Sequence, residues 1–171
     1  MNINLHARNI DIKLKGAIYA MTEFAMLTLI PSNRLRNNLT INIHLKHHVE
    51  GGEAMLSEFT NPKKPREFKV IVDHHRAEID NYDRKLTDNE WAHSILKTLA
   101  HELVHVKQYV MDELKPSNTG MVWKKTVYTP DNLLDYFQTP YEIEAYGREK
   151  GLLLGFLVRW DEIEKEMGMK I

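Results

Sequence analysis

His101-Glu102-Leu103-Val104-His105 sets two imidazoles four residues apart, with a carboxylate beside the first. On a helix, residues four apart share a face, so both rings can point at one metal ion. Glu102 then lies about a quarter turn round, within reach of a proton on a metal-bound water. The chain carries nine histidines, and its own composition gives roughly 0.04 chance matches to this pattern. It has no cysteine, so thiolate metal sites, disulfides and a cysteine nucleophile are excluded. Any metal must therefore be held by nitrogen and oxygen.

A helix has to present these residues. Thr87-Asp88-Asn89-Glu90 fits a capping box, and the helix it opens should run to about Asp112. At about 100° per residue, Ile95, Leu99, Leu103, Val106 and Val110 gather on one side. Ser94, Thr98, His101, His105 and Gln108 form a narrow polar stripe roughly opposite. Upstream, a helix is expected over Leu14 to Leu29, ending before Pro31. Thr40 to Lys46 alternates as a half-buried strand. Gly51-Gly52 marks a turn, after which Glu53 to Thr60 should pair with the β-branched strand Phe68 to Asp73. Leu114 to Thr139 reads as irregular, and a last helix should start near Pro140 and run towards Met167. Gly147, Gly151 and Gly155 recur along it.

The chain has 171 residues, which suits a single domain over 1–171. Its formal charge of -1 gives no global reason to expect nucleic acid or an anionic membrane as partner. Ala17 to Ile30, the most apolar early segment, is too short to span a bilayer and carries Glu23. Met1 to Lys15 lacks the apolar core of a secretory signal. A reducing compartment, the cytoplasm, is the expected location. Catalytic zinc usually takes three protein ligands and keeps a fourth position for water. Pro140-Tyr141-Glu142-Ile143-Glu144-Ala145-Tyr146 offers two carboxylates at a helix start.

Leu99 to Tyr109 followed by Pro140 to Tyr146 resembles the small gluzincin metallopeptidases, in particular the SprT-like and minigluzincin-type proteins of bacteria and their phages. The resemblance covers Asp88 to Lys150. It implies an α+β zincin-like fold in which a small, mostly antiparallel sheet packs against the active helix and a downstream glutamate helix. It implies one zinc ion held by His101, His105 and a downstream glutamate, in the cytoplasm of a bacterial or phage-infected cell. Related gluzincins often carry the ligand glutamate three residues before an alanine, which selects Glu142. Glu144 is the alternative, although it can also pair with Arg148 one helical turn on. Where many gluzincins place an acid four residues after the ligand, this chain has Tyr146, so the groups orienting the histidines stay unassigned.

The activity implied is hydrolysis of a peptide or protein substrate, with Glu102 as general base on a zinc-activated water. An extended substrate is expected along an exposed edge strand, Phe68 to Asp73. Tyr128 and Tyr136 are candidate donors to the oxyanion. Two alternatives stand beside this reading. One is a non-catalytic zinc-stabilised binding module. The other is SprT-like proteolysis of protein attached to DNA, for which no zinc ribbon or basic tail is visible. His47-His48 and His74-His75 read as surface or strand-end pairs, His93 as structural, and Lys63-Lys64-Pro65-Arg66 as a solvated turn. Trp123 and Trp160 read as packing anchors.

Overall fold

The computed structural model describes residues 1–47, 51–58, 60–75 and 86–166. His48, Phe59 and Met167 lie outside the described residues. The chain begins with β1 (Asn2–His6), an alternating strand that the expected outline lacked. Helix α1 (Ile12–Leu29) starts two residues before its expected position, because the Asp11 carboxylate accepts from the amides of Lys13 and Leu14. A short α2 (Asn33–Asn37) leads to β2 (Thr40–Lys46), then β3 (Gly52–Leu56) and β4 (Glu67–Asp73). Helix α3 (Asp88–Val110) carries the capping box, with the Glu90 amide donating to the Thr87 hydroxyl and the Thr87 amide to the Glu90 carboxylate. No helix of the described residues is long and apolar enough to cross a membrane.

The fold is α+β, and the main sheet has the order β1-β2-β4-β3. β1 pairs with β2, and β2 with β4, in parallel; only β3 is antiparallel, to β4. The expectation of a mostly antiparallel sheet is corrected here. The chain leaves β1 through α1 and returns in the same direction, and such a crossover makes a parallel pair. β4 is also not an edge strand. It is covered by β2 on one side and β3 on the other, and β1 and β3 are the edges.

The segment expected to be irregular holds a second sheet. β5 (Leu114–Pro116), β6 (Met121–Trp123) and β7 (Thr126–Tyr128) pair antiparallel, followed by α4 (Leu133–Phe137). The β6–β7 turn is made by Lys124 and Lys125, both at positive φ (45° and 78°). Such turns usually announce themselves with Asn-Gly, and here that signal is missing.

Ile41, Ile43, Leu45, Phe68, Val70 and Val72 turn one face of the main sheet into the core. Ile18, Met21, Ala25 and Met26 of α1 and Ile95, Leu99, Leu103, Val106 and Val110 of α3 fill it. Helix α5 (Pro140–Glu166) lies across α3 on the side of the polar stripe. As a result α3 is buried all round from Leu99 to Val110, and its polar residues face a neighbouring helix instead of solvent.

Candidate metal centre

His101 and His105 sit one turn apart on α3, and Glu142 faces them from the first turn of α5. Their relative exposures are 8%, 7% and 2%. The His101 Nε2 and His105 Nε2 atoms are 3.2 Å apart. Each lies 3.2 Å from a Glu142 carboxylate oxygen, His101 from Oε2 and His105 from Oε1. Among the described residues this is the one group of three or more histidines and acids that could hold a metal, its ligand atoms all within 4.8 Å of one another.

The tautomers follow from the partners. His101 Nδ1 is 2.9 Å from Glu149 Oε2, and His105 Nδ1 is 2.8 Å from Gln108 Oε1. A carboxylate can only accept, so His101 Nδ1 carries the hydrogen. Gln108 Nε2 donates to the Tyr141 carbonyl at 2.9 Å and to Glu144 at 3.1 Å, which fixes its oxygen towards His105. Neutral rings then expose bare Nε2 lone pairs to each other and to a carboxylate. A metal cation satisfies all three such acceptors at once, so the donor set fits a metal.

Glu144, the alternative ligand, points elsewhere. It accepts from Lys107 at 3.0 Å, from Gln108 and from Arg148 at 3.0 Å. Lys107 is itself buried and also bonds Glu113 at 2.6 Å, so Glu144 serves an ion network rather than the centre.

Two orienting groups escaped the sequence reading. Glu149 stands seven residues after Glu142, two turns along the same face of α5 and one turn beyond the position where many gluzincins place an acid. Lys97 holds its other oxygen at 3.0 Å. Tyr146, where an acid was looked for, instead sets its ring against that of His101, centroids 4.4 Å apart. Gln108 belonged to the polar stripe, so its position was visible although its role was not.

Glu102 is 4% exposed. Burial outweighs the nearby histidines and pushes its carboxyl up to about 7. Glu142 goes the other way. Burial would raise it, but in the metal-free chain hydrogen bonds from the His101 and His105 rings, which then carry a proton on Nε2, and from the Tyr136 hydroxyl hold it at about 2. Burial lowers His105, yet the Glu142 contact prevails and raises it. The Tyr136 hydroxyl donates to Glu142 Oε1 at 2.6 Å and is driven upward by burial and that carboxylate, so it stays protonated. Tyr128, the other tyrosine candidate, packs edge-on against Tyr141 and does not line the cleft.

The cleft over these groups measures about 660 Å³. Gly51 to Ala54 of the edge region form one wall, and Leu133, Tyr136, Phe137 and Tyr146 another. The expected strand wall, β4, is replaced by β3. Gly52 comes so near Glu102 that a Cβ there would lie 2.7 Å from its Oε1. Compared with family models, curated proteins and solved structures, the chain matches none.

The other described histidines lie apart from this centre. His93 is exposed on α3. His47 and His74 pack at a tilt at the strand ends, ring centroids 3.9 Å apart, with His75 nearby. Lys63 and Lys64 are exposed in their turn, Trp123 is buried against Tyr141, and Trp160 packs on Phe156.

Proposed function

We propose that this chain is a zinc-dependent peptidase of zincin-like fold, hydrolysing peptide bonds with His101, His105 and Glu142 as ligands and Glu102 as general base. One observation carries the reading. A buried carboxylate with its pKa near neutrality sits beside a two-histidine, one-glutamate donor set, against an open strand edge. When bound, zinc acts as a Lewis acid that polarises the scissile carbonyl and acidifies water.

The chain's own residues supply the rest. Glu102, half ionised at neutral pH and ionised above it, takes the proton of the attacking water and passes it to the leaving amine. Glu149 and Gln108 hold the two imidazoles in the tautomer that leaves Nε2 free. β3 offers backbone groups on the side away from β4, and an extended substrate can add to them as another strand. Tyr136, protonated on the cleft wall, is the hydroxyl that would donate to an oxyanion by turning from its bond to Glu142.

The test is zinc content and cleavage together. Purified protein should carry one zinc per chain and cleave casein or a peptide panel. Glu102→Gln should keep the zinc and lose about 10²- to 10⁴-fold in rate, the range for a missing general base. Wild-type cleavage by that variant would remove Glu102 from the reaction. Full zinc with no cleavage of any substrate would leave a binding module whose metal only joins α3 to α5.

A further inference from the structure

A second depression, of about 760 Å³, opens at the carboxyl ends of the parallel strands β1, β2 and β4. It shares no lining residue with the metal cleft. Its ionisable lining residues are His6, Arg8, His44, Lys46, His47 and His74, with no carboxylate among the described ones. The whole chain has 24 acidic and 23 basic residues, so a wall of one sign is a local departure from its average. Concave surfaces lined by one sign of charge concentrate the opposite ion. The ends of parallel strands are also where open α/β sheets habitually receive ligands.

The rings are held in place. His6 and His44 face each other across the β1–β2 pairing and stack with centroids 4.3 Å apart and planes within 8°. His74 is buried, and its Nδ1 lies 2.9 Å from the Lys46 carbonyl, which can only accept. Its own carbonyl takes the Trp91 indole N–H at 3.2 Å, so the ring is clamped between the end of β2 and the start of α3. Burial lowers the His44 pKa, and His6, Lys69 and Lys46 lower it further, as expected in a positive field. Asp73, the acid that ends β4, accepts from the His75 amide at 2.8 Å and is not part of the wall.

We propose that this depression binds a phosphate-type oxyanion, with Arg8 and Lys46 as the charged contacts and the ring N–H groups of His6 and His44 as further donors. A second metal is the weaker reading. Arg8, Lys46 and Lys69 repel a cation. The stacked His6 and His44 rings turn faces, not lone pairs, towards each other, and no third ligand converges with them among the described residues.

Inorganic phosphate is titrated into the zinc-loaded full chain at constant ionic strength set with chloride, and the histidine ring signals are followed by NMR. Saturable one-to-one shifts at His6, His44 and His74, with His101 and His105 unmoved, support the proposal. Arg8→Ala and Lys46→Ala, both at exposed positions, should each weaken phosphate by about tenfold, the effect of one lost charge-assisted contact. Melting temperature and peptide cleavage should stay at wild-type values in both. A parallel titration with a nucleoside monophosphate separates a free anion from a phosphomonoester on a larger molecule, according to which binds tighter. Non-saturating shifts, shifts equal to those from chloride, or affinity unchanged in both variants would overturn it. So would zinc beyond one equivalent moving these rings while phosphate does not.

Discussion

Gly52→Ala probes how closely the edge strand approaches the base. Gly52 is not in the left-handed region of backbone space, so alanine fits its backbone and any effect is steric. An added Cβ would lie 2.7 Å from Glu102 Oε1, 2.8 Å from Glu102 Cγ and 2.8 Å from Thr98 Cγ2. Carbon contacts relax at about 3.5–4.0 Å, so each pair is short by up to about 1 Å. Glu102 and Thr98 both stand on α3, which is locked in the core, so β3 must retreat or the Glu102 side chain must turn. Overpacking of this kind costs about 1–3 kcal/mol, and in a chain of this size each kcal/mol lowers the melting temperature by about 2–4 °C. A base displaced by about 1 Å loses on the order of a hundredfold in rate. The ligands themselves are untouched, so zinc affinity measured against a competing chelator should hold. Gly51→Ala is the control. Gly51 has φ 86° and nothing within 4 Å of a Cβ, so it should cost about 1–2 kcal/mol of backbone strain while sparing kcat/KM. Wild-type rate and melting temperature in Gly52→Ala would refute the packing of β3 on Glu102.

Glu149→Ala should weaken zinc by about 10- to 100-fold in chelator competition, as loss of a histidine-orienting partner does, and Glu149→Gln, which still offers an oxygen to Nδ1, should recover part of it. Glu142→Gln should abolish tight zinc binding. Glu144→Gln should leave zinc in place but lower the melting temperature, because the buried Lys107 loses one of its two carboxylates. The metal-free protein should lose stability as pH rises. Glu102 moves from 4.5 unfolded to about 7 folded, so its protonated form is favoured by folding, and about 3 kcal/mol disappears between pH 4.5 and 7. The raised His105 loses its contribution as pH climbs through its folded value, in the same direction. Thermal melts in EDTA should therefore be higher at pH 5 than at pH 8, and Glu102→Gln should flatten the slope. An unchanged slope in that variant would show that Glu102 does not titrate as described.

Short-range signals were legible in the chain. The Thr87–Glu90 box, the apolar side of α3 and the pairing of β3 with β4 follow from contacts within a turn or across a hairpin, where spacing maps directly onto geometry. The histidine pair His101 and His105 belongs to the same class. Parallel pairing does not. β1 joins β2 only after a crossover through two helices, and nothing in Asn2 to His6 says which neighbour it will meet. The β6–β7 hairpin stayed hidden because its turn uses two lysines where sequence rules look for Asn-Gly.

The site divides along the same line. Residue types and helical period determined that His101 and His105 share a face, that Glu102 lies beside them and that two glutamates open the next helix, since each depends on neighbours within one helix. Which glutamate turns inward, what orients the histidines and which strand walls the cleft were decided by tertiary structure. Those depend on how α5 crosses α3: the crossing points Glu142 and Glu149 at the imidazoles and leaves Glu144 to Lys107. No period along one helix encodes the angle at which another lies over it.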